Sequence, residues 1–312
     1  MKSAMRSACL LSIWFFQGAL AAHAIQVYSP TATTLGRAVT VFVRSAPDIR
    51  AMTVRLFDSS GIAVNAARGF PYTAAPGAKA WIAILAIPST LEGGSYRIRA
   101  SIATTDGTLR ATRGLFIAPR TFEKEVIPLD AVLSRLQALN SRSKRAQAAK
   151  LWSMITTFRP DAVYQRGPFI MPTKEYRVSS PYGARRFFAF ARGGGQYSVH
   201  QGVDLAMPAG TLVRATGAGR VVSARSWLMT GNTVVIENLP EVYSLYFHFS
   251  RMDVHPGEIV KQGQVIGLSG ATGLATGPVL DYKVEVEGVA VDPLRLLRHS
   301  LIDTRAVLAR LK

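Results

Sequence analysis

Four residues in this 312-residue chain have the types and spacing for metal or acid–base chemistry. His200 and Asp204 stand in "YSVHQGVDLAMPAG", His248 in "VYSLYFHFS", and Asp281 in "GPVLDYKVEVEG". Imidazole nitrogen and carboxylate oxygen both ligate divalent ions such as zinc. An imidazole outside the ligand set can move protons near neutral pH. His200 and Asp204 are four apart, but Gly202, Pro208 and Gly210 rule out a shared helix face. In an extended segment the even spacing aims both side chains the same way. Read alone, the pair is either two legs of a metal site or a hydrogen-bonded surface pair.

The other two residues lie in segments that read as strands. Along "VYSLYFHF", Val242, Ser244, Tyr246 and His248 share one face, and Tyr243, Leu245, Phe247 and Phe249 share the other. The second face reads as core, which places His248 on the more polar side. In 277–288 the even positions are Leu280, Tyr282, Val284 and Val286. The odd positions are Val279, Asp281, Lys283, Glu285 and Glu287. Val279 is thus an apolar residue at the head of a charged row, one pleat from Asp281. Lys283, one pleat further on, could neutralise Asp281 and leave no need for a metal.

The segments that must position these residues are mostly β. Residues 25–118 hold short alternating runs ("RAVTVFVRS", "MTVRLFD", "SYRIRASIA") parted by turn signals ("DSSG", "PGAK", "EGGS"), the pattern of an immunoglobulin-like β-sandwich. Residues 119–170 carry apolar residues at helical spacing (Val132, Leu133, Leu136, Leu139). They read as a helical linker, capped by Asp130 and broken near Asn140-Ser141. Residues 171–297 return to strands between glycine-rich turns, and 298–312 read as a short helical tail.

At the start, Lys2 and Arg6 precede an apolar run that ends in Ala22-His23-Ala24. This is a secretory signal over residues 1–24 with cleavage after Ala24. No later segment is apolar enough to span a bilayer. The one cysteine, Cys9, lies inside the signal, so the processed chain would carry no thiol or disulfide. The net charge is +18, but 171–297 holds twelve of the basic and ten of the acidic residues, only +2. The basic excess therefore lies outside the candidate site. It suits an anionic envelope surface or simple solubility, and an exported chain without an aromatic-basic motif argues against nucleic acid.

Taken in order, "SSPYGARR", "HQGVDLAMPAGTLVRATGAGRVV", "GNTVVIEN", "YSLYFHFS", "VHPGEIVKQGQVIGLSGATGLATGP" and "VDPLRLL" strongly resemble the lysostaphin/LytM-type zinc endopeptidases of bacterial cell walls, over residues 166–297. The resemblance implies a duplicated-hybrid-motif β-sheet domain. It carries two zinc ligands over to His200 and Asp204 and a catalytic histidine to His248. It also implies a final His-x-His supplying a second catalytic histidine and the third ligand, where this chain has Val279-Leu280-Asp281. Asp281 remains a possible metal ligand, but Val279 cannot carry a proton. The implied role is an exported, periplasmic or envelope protein that binds or acts on peptidoglycan with weak or no turnover. Regulation of a wall amidase is one such role, since some members of the family lack ligands and activate these enzymes. The alternative is an active zinc endopeptidase with His200, Asp204 and Asp281 as its ligands.

Overall fold

A computed structural model describes residues 11–13, 26–44 and 49–311. Apart from the three-residue strand Leu11–Ile13, the expected signal and its cleavage site lie outside the described residues. The chain is mostly β and divides into two units: residues 1–120 with 303–312, and residues 121–302.

In the first unit one long strand, Ala63–Ala75, serves two neighbours. Its first half pairs with Ala51–Phe57 and its second half with Ala78–Ala86. Gly69 stands at the crossover, where a Cβ would come within 2.6 Å of Met52 Cβ. Alternating residues of these strands and of their neighbours Ala38–Arg44 and Gly94–Thr104 (Val41, Val43, Leu56, Phe70, Ile82, Ile98) are fully buried and form the core. The tail helix Thr304–Leu311 belongs to this unit, with Val307 buried and Tyr72 Oη 2.8 Å from Thr304 Oγ1.

The second unit is built on an eight-stranded sheet. Its order is Arg177–Ser180, Val203–Ala206, Val279–Val286, Val242–Phe249, Gly231–Leu239, Gly219–Trp227 and Ile259–Val260, with Val289–Val291 paired to Val279–Val286. The central strand Val242–Phe249 is buried along its whole length. Helix Arg142–Ile155 explains one covered face: Ile155 and Leu151 pack on Tyr243, Leu245 and Phe247. On the other side Tyr246 stacks on Tyr282, and their hydroxyls meet Thr216. The expected polar face of this strand is therefore a second buried face. The polar groups on it are satisfied internally, as burial requires.

The stretch expected to be a helical linker contains two helices and also a strand. Asp130 caps Ala131–Ala138 by accepting from the Val132 and Leu133 amides, and Ser141 caps Arg142–Ile155 through the Lys144 amide. The strand, Lys124–Pro128, pairs in parallel with Arg185–Ala189, which pairs in turn with Gly195–Val199. Arg159 then ties the following segment to the sheet. Its guanidinium meets the fully buried Glu237 carboxylate at 2.8–3.0 Å, and Arg220 holds the same carboxylate at 3.0 Å.

Candidate metal centre

Two adjacent strands and the residue leading into one of them deliver the candidate ligands. In the sheet register Ser180 faces Asp204, and Asp204 faces Asp281. Two carboxylates directly opposite one another repel, so this cross-strand pair is unfavourable unless a cation lies between them. His200 precedes the strand Val203–Ala206 and is buried. Its ring places Nε2 3.3 Å from Asp204 Oδ1 and 3.5 Å from Asp281 Oδ1. One ligand atom from each of the three residues lies within 4.8 Å of the other two. Gly202 makes room for this: a Cβ there would overlap Asp281 Oδ1 and stand 2.8 Å from the Tyr282 carbonyl.

The donor set fits a divalent ion. His200 Nε2 and Asp281 Oδ1 are buried and make no proper hydrogen bond. Buried polar atoms are seldom left so, and two that converge on one point call for a shared partner. Zinc bonds of about 2.0–2.2 Å place tetrahedral ligands about 3.3–3.6 Å apart, which matches both spacings of His200 Nε2. A proton can serve as a substitute. Burial alone would lower the pKa of His200, but the Asp204 and Asp281 carboxylates outweigh it and push the value up to about 9. Burial raises Asp281, and the His200 contact outweighs it with help from the charges of His248 and Arg186. Asp281 is thus held below the ordinary carboxylate value.

His248 lies outside the ligand triad. Its backbone has φ 66°, a left-handed conformation uncommon for a residue with a side chain, at a shift in the pairing of its strand with Gly231–Leu239. Side-chain alternation fails there, so the sequence pattern could not fix its direction. Nδ1 lies 2.6 Å from the Thr272 carbonyl. A carbonyl only accepts, so Nδ1 carries the proton, and a neutral ring keeps a lone pair on Nε2. The positive-φ strain is of the kind that collects at functional sites.

Val279 pairs with Ala206 in the register, beside the Asp204–Asp281 pair, and brings no proton-carrying group. Lys283 does not neutralise Asp281. Its ammonium pairs with Glu285 and donates to the Gln201 amide oxygen Oε1 at 2.7 Å. The reason is local: Glu285 is one pleat further along the same face, and its buried carboxylate needs a counter-charge.

Sequence reasoning assigned no role to Arg186, Ser180 or Glu125. Arg186 Nη2 contacts Asp204 Oδ2, Ser180 Oγ (2.6 Å) and His200 Nδ1 (2.9 Å), and its Nε lies 3.2 Å from Glu125 Oε2. Ser180 and Arg186 both stand in the segment "SSPYGARR". Nothing in the spacing said that the second arginine turns inward.

A β-sheet with a His–Asp–Asp cluster, its two aspartates on paired strands and its histidine just ahead of one of them, and with a separate imidazole nearby, is the framework of a metallopeptidase-like domain. Residues 198–293 match the family model described as "Peptidase family M23", and all four candidate residues lie inside that span. Among curated proteins, the peptidoglycan DD-endopeptidase ShyA of Vibrio cholerae is 38% identical over 42% of this chain and 29% of its own length. The DD-carboxypeptidase/endopeptidase Mpg of Neisseria meningitidis is 36% identical over 42% of this chain and 29% of its own length. The chain thus covers less than a third of the length of these two relatives. A solved Pseudomonas aeruginosa structure assigned to peptidase M23 shares the fold, with a TM-score of 0.57 at 22% identity, over 85% of this chain and 94% of that one. Residues 198–293 of the second unit thus carry a peptidase M23 domain of the lysostaphin/LytM type.

Proposed function

We propose that the chain is an exported, periplasmic or envelope protein. Its second unit engages peptidoglycan through the LytM-type site, and its hydrolytic turnover is strongly reduced. The observation that carries this reading is Val279: among the described residues around the ligand triad, His248 is the one imidazole left to handle protons. Loss of one acid–base group costs about 10²–10⁴-fold in rate. His200, Asp204 and Asp281 would hold a zinc ion, which when bound polarises a carbonyl and acidifies water. His248, with its proton fixed on Nδ1 by Thr272, is suited to accept a proton at Nε2. Among the described residues, no second imidazole stands at the triad to return it.

A protein that keeps the site but turns over slowly suits a binding or regulatory role, with the wall polymer itself or a wall amidase as partner. The first unit, whose strand Ala63–Ala75 passes from one set of strands to the other, reads as an immunoglobulin-like sandwich. Its basic excess suits an anionic envelope surface.

A second reading is an active zinc endopeptidase using the same three ligands. The unpartnered His200 Nε2 and Asp281 Oδ1, at tetrahedral spacing, favour it. Peptidoglycan zymography of the wild type, His200→Ala and His248→Ala, with zinc content measured in each, tests both. Little or no lysis by the zinc-loaded wild type supports the first reading. Robust lysis lost in both variants establishes the second.

A further inference from the structure

Arg186 is almost fully buried, and its guanidinium lies at the site itself. A buried cation beside a candidate dication site is costly unless it serves the ligands. The proton count defines that service. Nη2 has two hydrogens and three polar atoms within reach: Asp204 Oδ2, Ser180 Oγ at 2.6 Å and His200 Nδ1 at 2.9 Å. The Ser180 hydroxyl spends its own hydrogen on Glu125 Oε2 at 2.6 Å, so its oxygen accepts from Arg186. The two Nη2 hydrogens therefore go to Ser180 and Asp204. His200 Nδ1 is then free to donate to the Pro181 carbonyl at 3.1 Å. With Nδ1 as the donor, Nε2 is the ring nitrogen turned toward Asp204 and Asp281, where it can take either a metal or the substituting proton. Glu125 completes the brace by accepting from Nε as well.

We infer that Arg186, braced by Glu125 and Ser180, is a positioning residue that holds the outer oxygen of Asp204 so that the inner oxygen faces His200 Nε2. The strand Lys124–Pro128 gains a purpose from this. It pairs with Arg185–Ala189 in the register that sets Glu125 opposite Arg186, and so brings a carboxylate from outside the matched family span into the support of the site. Asp204 gains a single rotamer, with one oxygen charge-paired and one free. Groups that orient ligands in this way typically contribute tenfold to a hundredfold to metal affinity. A mere counter-charge would act in the opposite direction, since removing a cation beside the site would strengthen binding.

The inference rests on the ligand assignment made above, and the test separates the two. Zinc affinity of the full chain is measured by chelator competition for the wild type, Arg186→Met, Arg186→Lys, Asp204→Asn and the double variant Arg186→Met/Asp204→Asn. Arg186→Met is expected to lose about tenfold to a hundredfold in affinity. Arg186→Lys should recover part of the loss, because a lysine can reach one acceptor of the set but cannot bridge two with a planar fork. In the Asp204→Asn background Arg186→Met should cause no further loss. Unchanged or tighter zinc binding by Arg186→Met overturns the inference, as does an equal loss in both backgrounds. A wild type that takes up no zinc overturns the ligand assignment instead. The same four-way cycle, run on urea unfolding in chelator, then decides the clamp alone. Non-additive losses for Arg186 and Asp204 keep it, and additive losses overturn it.

Discussion

Without metal, the stability of the second unit should depend on pH through His200. In the folded chain its pKa is about 9, against an ordinary 6.5. A raised folded pKa means that the native state binds the proton more tightly than the unfolded chain does. The stabilisation is then fully present below about pH 6.5 and is lost as pH rises through about 9. A shift of about 2.5 units at 1.36 kcal/mol each gives about 3 kcal/mol, an order-of-magnitude figure for a group shielded from solvent. The physical content is simple: two opposed carboxylates and a buried ring need a cation, and the proton supplies it when zinc is removed. Urea unfolding of the chelated protein, followed by the fluorescence of Trp152 and Trp227, would be run at intervals from pH 6 to 10 for the wild type and for His200→Gln. The difference between the two removes titrations that they share. It should shrink by a few kcal/mol across this window in chelator. Saturating zinc should abolish that loss, because the metal replaces the proton. A wild-type profile parallel to that of His200→Gln in chelator would refute the reasoning.

Three further outcomes follow from the same contacts. Gly202→Ala drives a Cβ into Asp281 Oδ1 and should weaken zinc binding by tenfold or more while the first unit melts unchanged, read by chelator competition and calorimetry. Val279→His adds an imidazole on the strand of Asp281. It should raise peptidoglycan hydrolysis over the zinc-loaded wild type by about tenfold or more in a dye-release assay, and an unchanged rate would remove Val279 as the cause of weak turnover. Glu237→Ala strips the partner from Arg159 and Arg220. It should lower the unfolding free energy of the second unit by about 2 kcal/mol or more, below the full cost of a fully buried pair because both arginines reach solvent.

The parts of the site legible in the sequence were those fixed by local periodicity. Asp281 falls on its strand where the two-residue repeat puts it, and His200 Nε2 and Asp204 Oδ1 lie 3.3 Å apart although His200 precedes the strand and alternation alone does not carry it. Where the backbone leaves the regular repeat, the pattern gave no direction. His248 sits at φ 66°, and its strand is covered on both faces by a helix and by stacked tyrosines that no local window contains. The partner of Lys283 was equally open: two acids flank it on one face, and burial of Glu285 decided between them.

The least legible part was the support of the site. Glu125 lies in the five-residue run Lys124–Pro128, none of whose residues is buried, and its strand forms by pairing with residues about sixty positions away. Such non-local pairing leaves no periodic mark on the sequence. Yet it answers the problem that the register creates. Asp204 opposite Asp281 is a repulsive pair, and each of its two acids has a different remedy. Asp204 gives its outer oxygen to Arg186, and both acids turn an oxygen toward His200 Nε2, where a proton or a metal can sit. The sheet brings the two acids together, and Arg186 lets one of them stay there with its inner oxygen free.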